Sequence, residues 1–153
     1  MRSGTRIGVD VGKVRVGVAR SDPHGMLATP VETVQRAQAS VKRVIALADE
    51  YGAVEFVVGL PIALSGRDTA STGDARTFAQ QLADRSGLPV RLVDERMSTM
   101  TAQTALRASG RTTKNSRSVV DQVAAVIILQ HALDFERSAE RPPGELVDPT
   151  QGS

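Results

Sequence analysis

At 153 residues, with 41% hydrophobic and 24% charged side chains, the chain has the length and composition of one ordinary water-soluble domain. The absence of Cys excludes a disulfide framework, a thiolate nucleophile and thiolate-bound zinc, and two His are too few for a histidine-built metal centre. The net charge of +2 conceals an asymmetry: Asp134 to Ser153 carries −3, so the preceding 133 residues carry +5.

The first elements are two alternating apolar runs, Ile7-Val9-Val11 and Val14-Val16-Val18, which predict a hairpin with Gly12 and Lys13 near its turn. Asp10 interrupts the first run at the C-terminal end of a central strand. A carboxylate partly removed from water needs a cation, a strong donor or a raised pKa. Gly8, Gly12 and Gly17 suggest that backbone or a ligand approaches closely. Met26 to Val34 forms a third strand, which Pro30 assigns to an edge or a bulge. Ser40 is read as the N-cap of an amphipathic helix to about Glu50, closed by Gly52. Val54 to Gly59 is a short apolar strand of the type buried on both faces.

Leu60 to Gly73, rich in Pro, Gly, Ser and Thr, reads as a long loop that suits equally a cover over a substrate and a solvated surface loop, and residues 74–86 as a second amphipathic helix. A fifth strand, Pro89 to Asp94, leads into Asp94-Glu95-Arg96. A helix from Ser98 or Thr99 to Ser109, a basic loop from Arg111 to Arg117 and a last helix from Ser118 to about Asp134 follow. Residues 136–153 show no apolar periodicity and are expected to form a disordered tail behind a single domain over 1–135.

This order predicts an α/β fold with a five-stranded mixed sheet flanked by helices: a three-strand antiparallel meander plus two parallel strands. Such a topology brings Asp10, the Gly59-Leu60-Pro61 turn and Asp94-Glu95 to one edge, where open α/β sheets bind ligands. Glu95 starts two strand spacings, roughly 10 Å, from strand one and must reach inward. Asp121 shares a helical face with Ala124, Ala125 and Ile128, so it also belongs to a packed surface. Converging carboxylates stay ionised near neutral pH when cations neutralise them, and oxygen donors without His or Cys select Mg²⁺ or Mn²⁺. Two such ions suit phosphodiester hydrolysis without a nucleophilic side chain. Arg96 to Val120 holds five basic residues and no acid, a block suited to a polyanion. Only three Phe, one Tyr and no Trp are present, leaving few platforms for stacking bases.

Gly8-Val-Asp10-Val-Gly12 with Arg15-Val-Gly17-Val-Ala19, Val58-Gly59-Leu60-Pro61, Asp94-Glu95-Arg96 with Ser98-Thr99, and Asp121 with Ala124-Ala125 and Ile128-Leu129-Gln130 closely resemble the YqgF/RuvX family over about residues 5–134. The resemblance implies a ribonuclease H-like fold akin to the RuvC resolvases. It also implies a nuclease that either resolves four-way DNA (Holliday) junctions or matures the 5′ end of pre-16S ribosomal RNA. By it, Asp10, Glu95 and Asp121 are the metal-binding catalytic acids, with Mg²⁺ or Mn²⁺, in two ions, as cofactor. Lys13, Arg15, Arg67, Arg96, Arg111, Lys114 and Arg117 are the expected phosphate contacts. Structured nucleic acid is then the partner and a homodimer is expected on the junction reading; with no signal-peptide core in residues 1–30 and a longest apolar run, Val123 to Leu129, too short to span a bilayer, a cytoplasmic location is the default expectation.

Two rivals use the same residues differently. The strand-Asp-x-Gly pattern of residues 8–12 also resembles the phosphate motif of actin-like ATPases, but one domain supplies half of their two-lobed cleft and no Walker A motif is present. A binding module that has lost catalysis would not be expected to keep all three acids.

Overall fold

The computed structural model describes residues 2–63, 65–95 and 116–148, and of residues 116–121 the backbone alone. Alternation folds Arg6–Val11 (β1) and Arg15–Ser21 (β2) into an antiparallel pair in which Asp10 faces Gly17. The hairpin closes through Gly12 N–H donating to the Arg15 carbonyl at 2.9 Å. A Cβ on Gly12 would lie 2.5 Å from that carbonyl oxygen, so a side chain would push the turn apart. Ala28–Gln35 (β3) adds an antiparallel edge strand, and the register shifts where Ala19 pairs with Pro30, so Pro30 occupies both an edge and an irregularity. Helix α1, Ser40–Tyr51, ends at Gly52 in the left-handed conformation.

Strand β4, Glu55–Leu60, is buried throughout and pairs parallel to β1. Helix α2, Ala70–Ser86, leads to β5, Val90–Asp94, parallel to β4. Helix α3, Ser116–Ala139, precedes a short strand β6, Glu145–Val147, antiparallel to β5. The sheet order is β3-β2-β1-β4-β5-β6. The sheet is therefore the expected mixed one with a sixth strand added. Its two faces carry separate cores. Ile7, Val9, Phe56, Val58 and Leu92 pack under α1 and α2, while Val57 lies with Ala125, Ile128 and Leu129 of α3.

Three expectations change, and one is not reached. The segment from 136 is not disordered as far as Asp148: α3 runs on to Ala139, and β6 buries Val147 against β5, a long-range pairing that local periodicity does not reveal. The loop after β4 is shorter than Leu60 to Gly73, because Thr69 and Thr72 form a reciprocal capping box and start α2 at Ala70. Helix α1 is preceded by Ala39, not capped by Ser40; the Ser40 hydroxyl instead accepts from Ala37 N–H and donates to the Gln35 carbonyl, tying off the end of β3. The helix expected from Ser98 or Thr99 to Ser109 and the basic loop lie outside the described residues.

Candidate active site

Side-chain alternation sends Arg6, Gly8 and Asp10 of β1 to the α3 face of the sheet, together with Glu55, Val57 and Gly59 of β4. On β5 the same face carries Arg91 and Val93, and Glu95 follows one residue past the strand. Glycine at 8 lets α3 sit close, since a Cβ there would be 2.7 Å from Leu129 Cβ and 3.0 Å from the Ala125 carbonyl oxygen. Helix α3 runs antiparallel to β1. The Gln122 amide bonds Thr33 Oγ1 at 3.0 Å, in the row Asp10–Gly17–Thr33, while Gln130 bonds Ala28 N–H at the other end of β3. Residue 121, next to Gln122, therefore belongs to the end of the helix that lies level with Asp10.

Glu95 crosses β4 to reach Asp10. Its Cγ and Cδ lie 2.8 and 2.9 Å from where a Cβ on Gly59 would stand, and its carboxyl hydrogen-bonds Asp10. Burial pushes the Glu95 carboxyl up to about 8, assisted by the negative charge of Asp10, the hydrogen bond between them and the charge of Asp94. Near neutral pH the Glu95 carboxyl therefore keeps its proton beside Asp10, an arrangement that is costly for packing alone.

Of the ten residues singled out by sequence, the structure brings together Asp10 and Glu95. Lys13 and Arg15 belong to the β1–β2 hairpin that follows Asp10, Lys13 exposed and Arg15 half-buried. Arg67 is exposed in the loop after β4, where Ala63 N–H donates to its carbonyl and Ile62 bridges Asp68. Arg96, Arg111 and Lys114 lie outside the described residues, and Asp121 and Arg117 belong to α3 with side chains that do as well. Among the described residues no group of three His, Cys, Asp or Glu forms a metal cage. The donor set at hand, two carboxyl groups held together at strand ends, fits a hard divalent ion.

Sequence reasoning missed a clamp on the hairpin. Arg36, just past β3, donates to both Asp74 carboxylate oxygens at 2.8 and 2.6 Å and to the Gly12 carbonyl at 2.9 Å, and its guanidinium lies over Phe78. Its own N–H donates to the Val14 carbonyl at 2.8 Å. The turn that follows Asp10 is thereby tied to α2. The signal lay only in an isolated Arg and Asp far apart in the chain. Arg36 holds the Asp74 carboxyl below its usual range, with Lys13 contributing more weakly.

Residues 4–135 match the family described as RuvX: Holliday junction resolvase. A protein of Clavibacter michiganensis subsp. michiganensis, named "Putative pre-16S rRNA nuclease", is 63% identical over 150 residues, covering 96% of this chain and 93% of its own. Proteins of the same name from Leifsonia xyli subsp. xyli (58%, 99% of each chain) and Streptomyces coelicolor (54%, 97% and 90%) are similar. Among solved structures, T. thermophilus RuvC in complex with Holliday junction substrate superposes with a TM-score of 0.60 at 17% identity, over 92% of this chain and 99% of that one. At that identity the likeness concerns the fold, which is the ribonuclease H-like one expected.

Proposed function

The chain belongs to the RuvX family, and on that premise we propose that it is a divalent-metal-dependent endonuclease hydrolysing phosphodiester bonds in structured nucleic acid, with Asp10, Glu95 and Asp121 as its metal-binding catalytic acids. The observation that carries this reading is the meeting of Asp10 and Glu95 across Gly59. Nothing about packing calls for two acids to be pressed together there.

Asp10 lies near the end of β1, a strand flanked by β2 and β4 and paired at this residue with Gly17, which fixes its backbone. Glu95 supplies the second carboxylate and in the ion-free protein keeps its proton near neutral pH; Asp121 supplies the third from α3. Mg²⁺ or Mn²⁺, in two ions, would provide water activation and stabilisation of the leaving oxygen when bound by these acids. Lys13, Arg15 and Arg67, with Arg96, Arg111, Lys114 and Arg117, hold phosphates and position the substrate without reading its sequence. Three Phe, one Tyr and no Trp leave few platforms for stacking single-stranded bases, which favours recognition by the shape and charge of a folded nucleic acid.

The relatives' names point to pre-16S rRNA, and the family description to four-way DNA junctions. Both present the same phosphodiester to the same acids. A junction resolvase cuts two strands symmetrically and calls for a C2 dimer, whereas trimming the 5′ end of a precursor RNA needs one active site. The deciding experiment is cleavage of a four-way DNA junction and a structured pre-16S RNA, side by side, by wild type and Asp10→Asn, with Mg²⁺, Mn²⁺ or chelator. Metal-dependent cutting that Asp10→Asn abolishes is expected, and the substrate that is cut assigns the activity. Cutting of neither would leave a nucleic-acid-binding module.

A further inference from the structure

We infer that Gly59 is a positioning residue: its missing side chain is the gap through which a carboxylate anchored beyond β5 takes its place beside Asp10 on β1. The inference deepens the nuclease reading and rests on it for its functional meaning. Strand β4 stands between β1 and β5, so the two carboxylates start roughly 10 Å apart along the sheet. On the α3 face of β4 the residues are Glu55, Val57 and Gly59, and the β1–β4 register puts position 59 one step past the Val9–Val58 pair, level with Asp10. Any side chain at 59 would rise on the line from Glu95 to Asp10.

What that side chain would strike separates folding from function. A Cβ at 59 would meet Ile128 Cδ1 at 2.6 Å and Glu95 Cγ and Cδ at 2.8 and 2.9 Å, all three in flexible side chains. The φ of Gly59 is not positive, so the strand backbone accepts an L-residue, and a strand interior ordinarily disfavours glycine. The fold can therefore absorb alanine by changing rotamers. The site cannot, because one of the rotamers that must change is that of Glu95. Gly8 and Gly12 differ in kind: their added Cβ atoms would meet backbone, the Ala125 carbonyl at 3.0 Å and the Arg15 carbonyl at 2.5 Å, so substitution there is felt by the fold.

The test is Gly59→Ala, examined ion-free by crystallography, by thermal unfolding and by calorimetric titration with Mn²⁺. A second variant, Gly59→Ala with Ile128→Val, deletes the obstructing Cδ1 of α3 and keeps the experiment decisive should the single variant pack poorly. Expected are an unfolding midpoint close to wild type, a Glu95 carboxyl withdrawn from Asp10, and an Mn²⁺ affinity lowered about 10- to 100-fold, the usual loss when the support of a ligand is removed. A Glu95 carboxyl still hydrogen-bonded to Asp10 in either folded variant would overturn the inference. If wild type itself bound no Mn²⁺, the metal-nuclease reading would fail, while the crystallographic comparison would still decide the role of Gly59.

Discussion

The α3 face of β1, β4 and β5 carries carboxylates at both ends, and the two ends treat them in opposite ways. At the N-terminal end of the strands, Glu55 and Glu136 are 2% and 4% exposed and are surrounded by arginines. Arg2 donates to Glu55 at 3.1 Å and to Glu136 at 2.8 Å, Arg91 donates to Glu55 at 3.3 Å, and buried Arg6 lies 3.9 and 3.5 Å from the same two acids. The Arg2 hydrogen bond holds the Glu136 carboxyl below its usual range. At the other end Glu95 meets Asp10 with Asp94 nearby, and its carboxyl is raised. Acids matched by guanidinium groups fasten the N-terminal segment, β1, β4, β5 and α3 together. Acids matched by one another make the cation site proposed above.

The sharpest way to break this contrast is to mutate both ends. Asp10→Asn should lower metal-dependent cleavage by more than about 100-fold, beyond the range for outer supports of a metal site, while raising the thermal midpoint of the ion-free protein by removing a like charge. Glu55→Ala should do the reverse. It leaves Arg6 buried without that partner and should cost about 3–5 kcal/mol in denaturant unfolding, with the cleavage rate per folded molecule unchanged. A destabilising Asp10→Asn, or a cleavage-dead but stable Glu55→Ala, would erase the distinction.

Acidity should separate the ends with opposite signs. The Glu95 pKa is raised by folding, so its contribution is fully present below the unfolded carboxylate value, about 4.3, and is lost as pH rises through about 8. Ion-free wild type should therefore lose stability across that window relative to Glu95→Gln, and Mn²⁺ binding should strengthen with pH as the Glu95 proton is released. Glu136 is depressed, so its contribution is present above the unfolded value and is lost as pH falls below the carboxylate range. Thermal unfolding followed against pH for wild type, Glu95→Gln and Glu136→Gln checks both signs. The smallest effect is expected at the phosphate contacts: Lys13→Ala or Arg67→Ala should weaken binding of all substrates alike and reduce the salt slope by about one each, measured by filter binding at several salt concentrations.

Much of the functional end was legible in sequence because it lies on regular strands. Alternation around Ile7, Val9 and Val11 made Asp10 conspicuous, and the crossover topology sent Glu95 to the same edge. The reach across Gly59 was not legible, since it depends on which residue of β4 stands in line with two others. The ionic end went unread for a related reason. Glu55 broke an otherwise apolar strand, but its partners Arg2, Arg6 and Glu136 come from both ends of the domain, and only the Arg6–Glu55 register joins them. Strand β6 was equally hidden: three residues with one buried side chain, Val147, give no period to detect.

The central claim is that Asp10 and Glu95 form one divalent-ion site, and its most direct test is calorimetric Mn²⁺ titration of wild type, Asp10→Asn and Glu95→Gln. Saturable binding by wild type that is lost or severely weakened in both variants is the predicted result. Equal binding by all three proteins, or none by wild type, would contradict it.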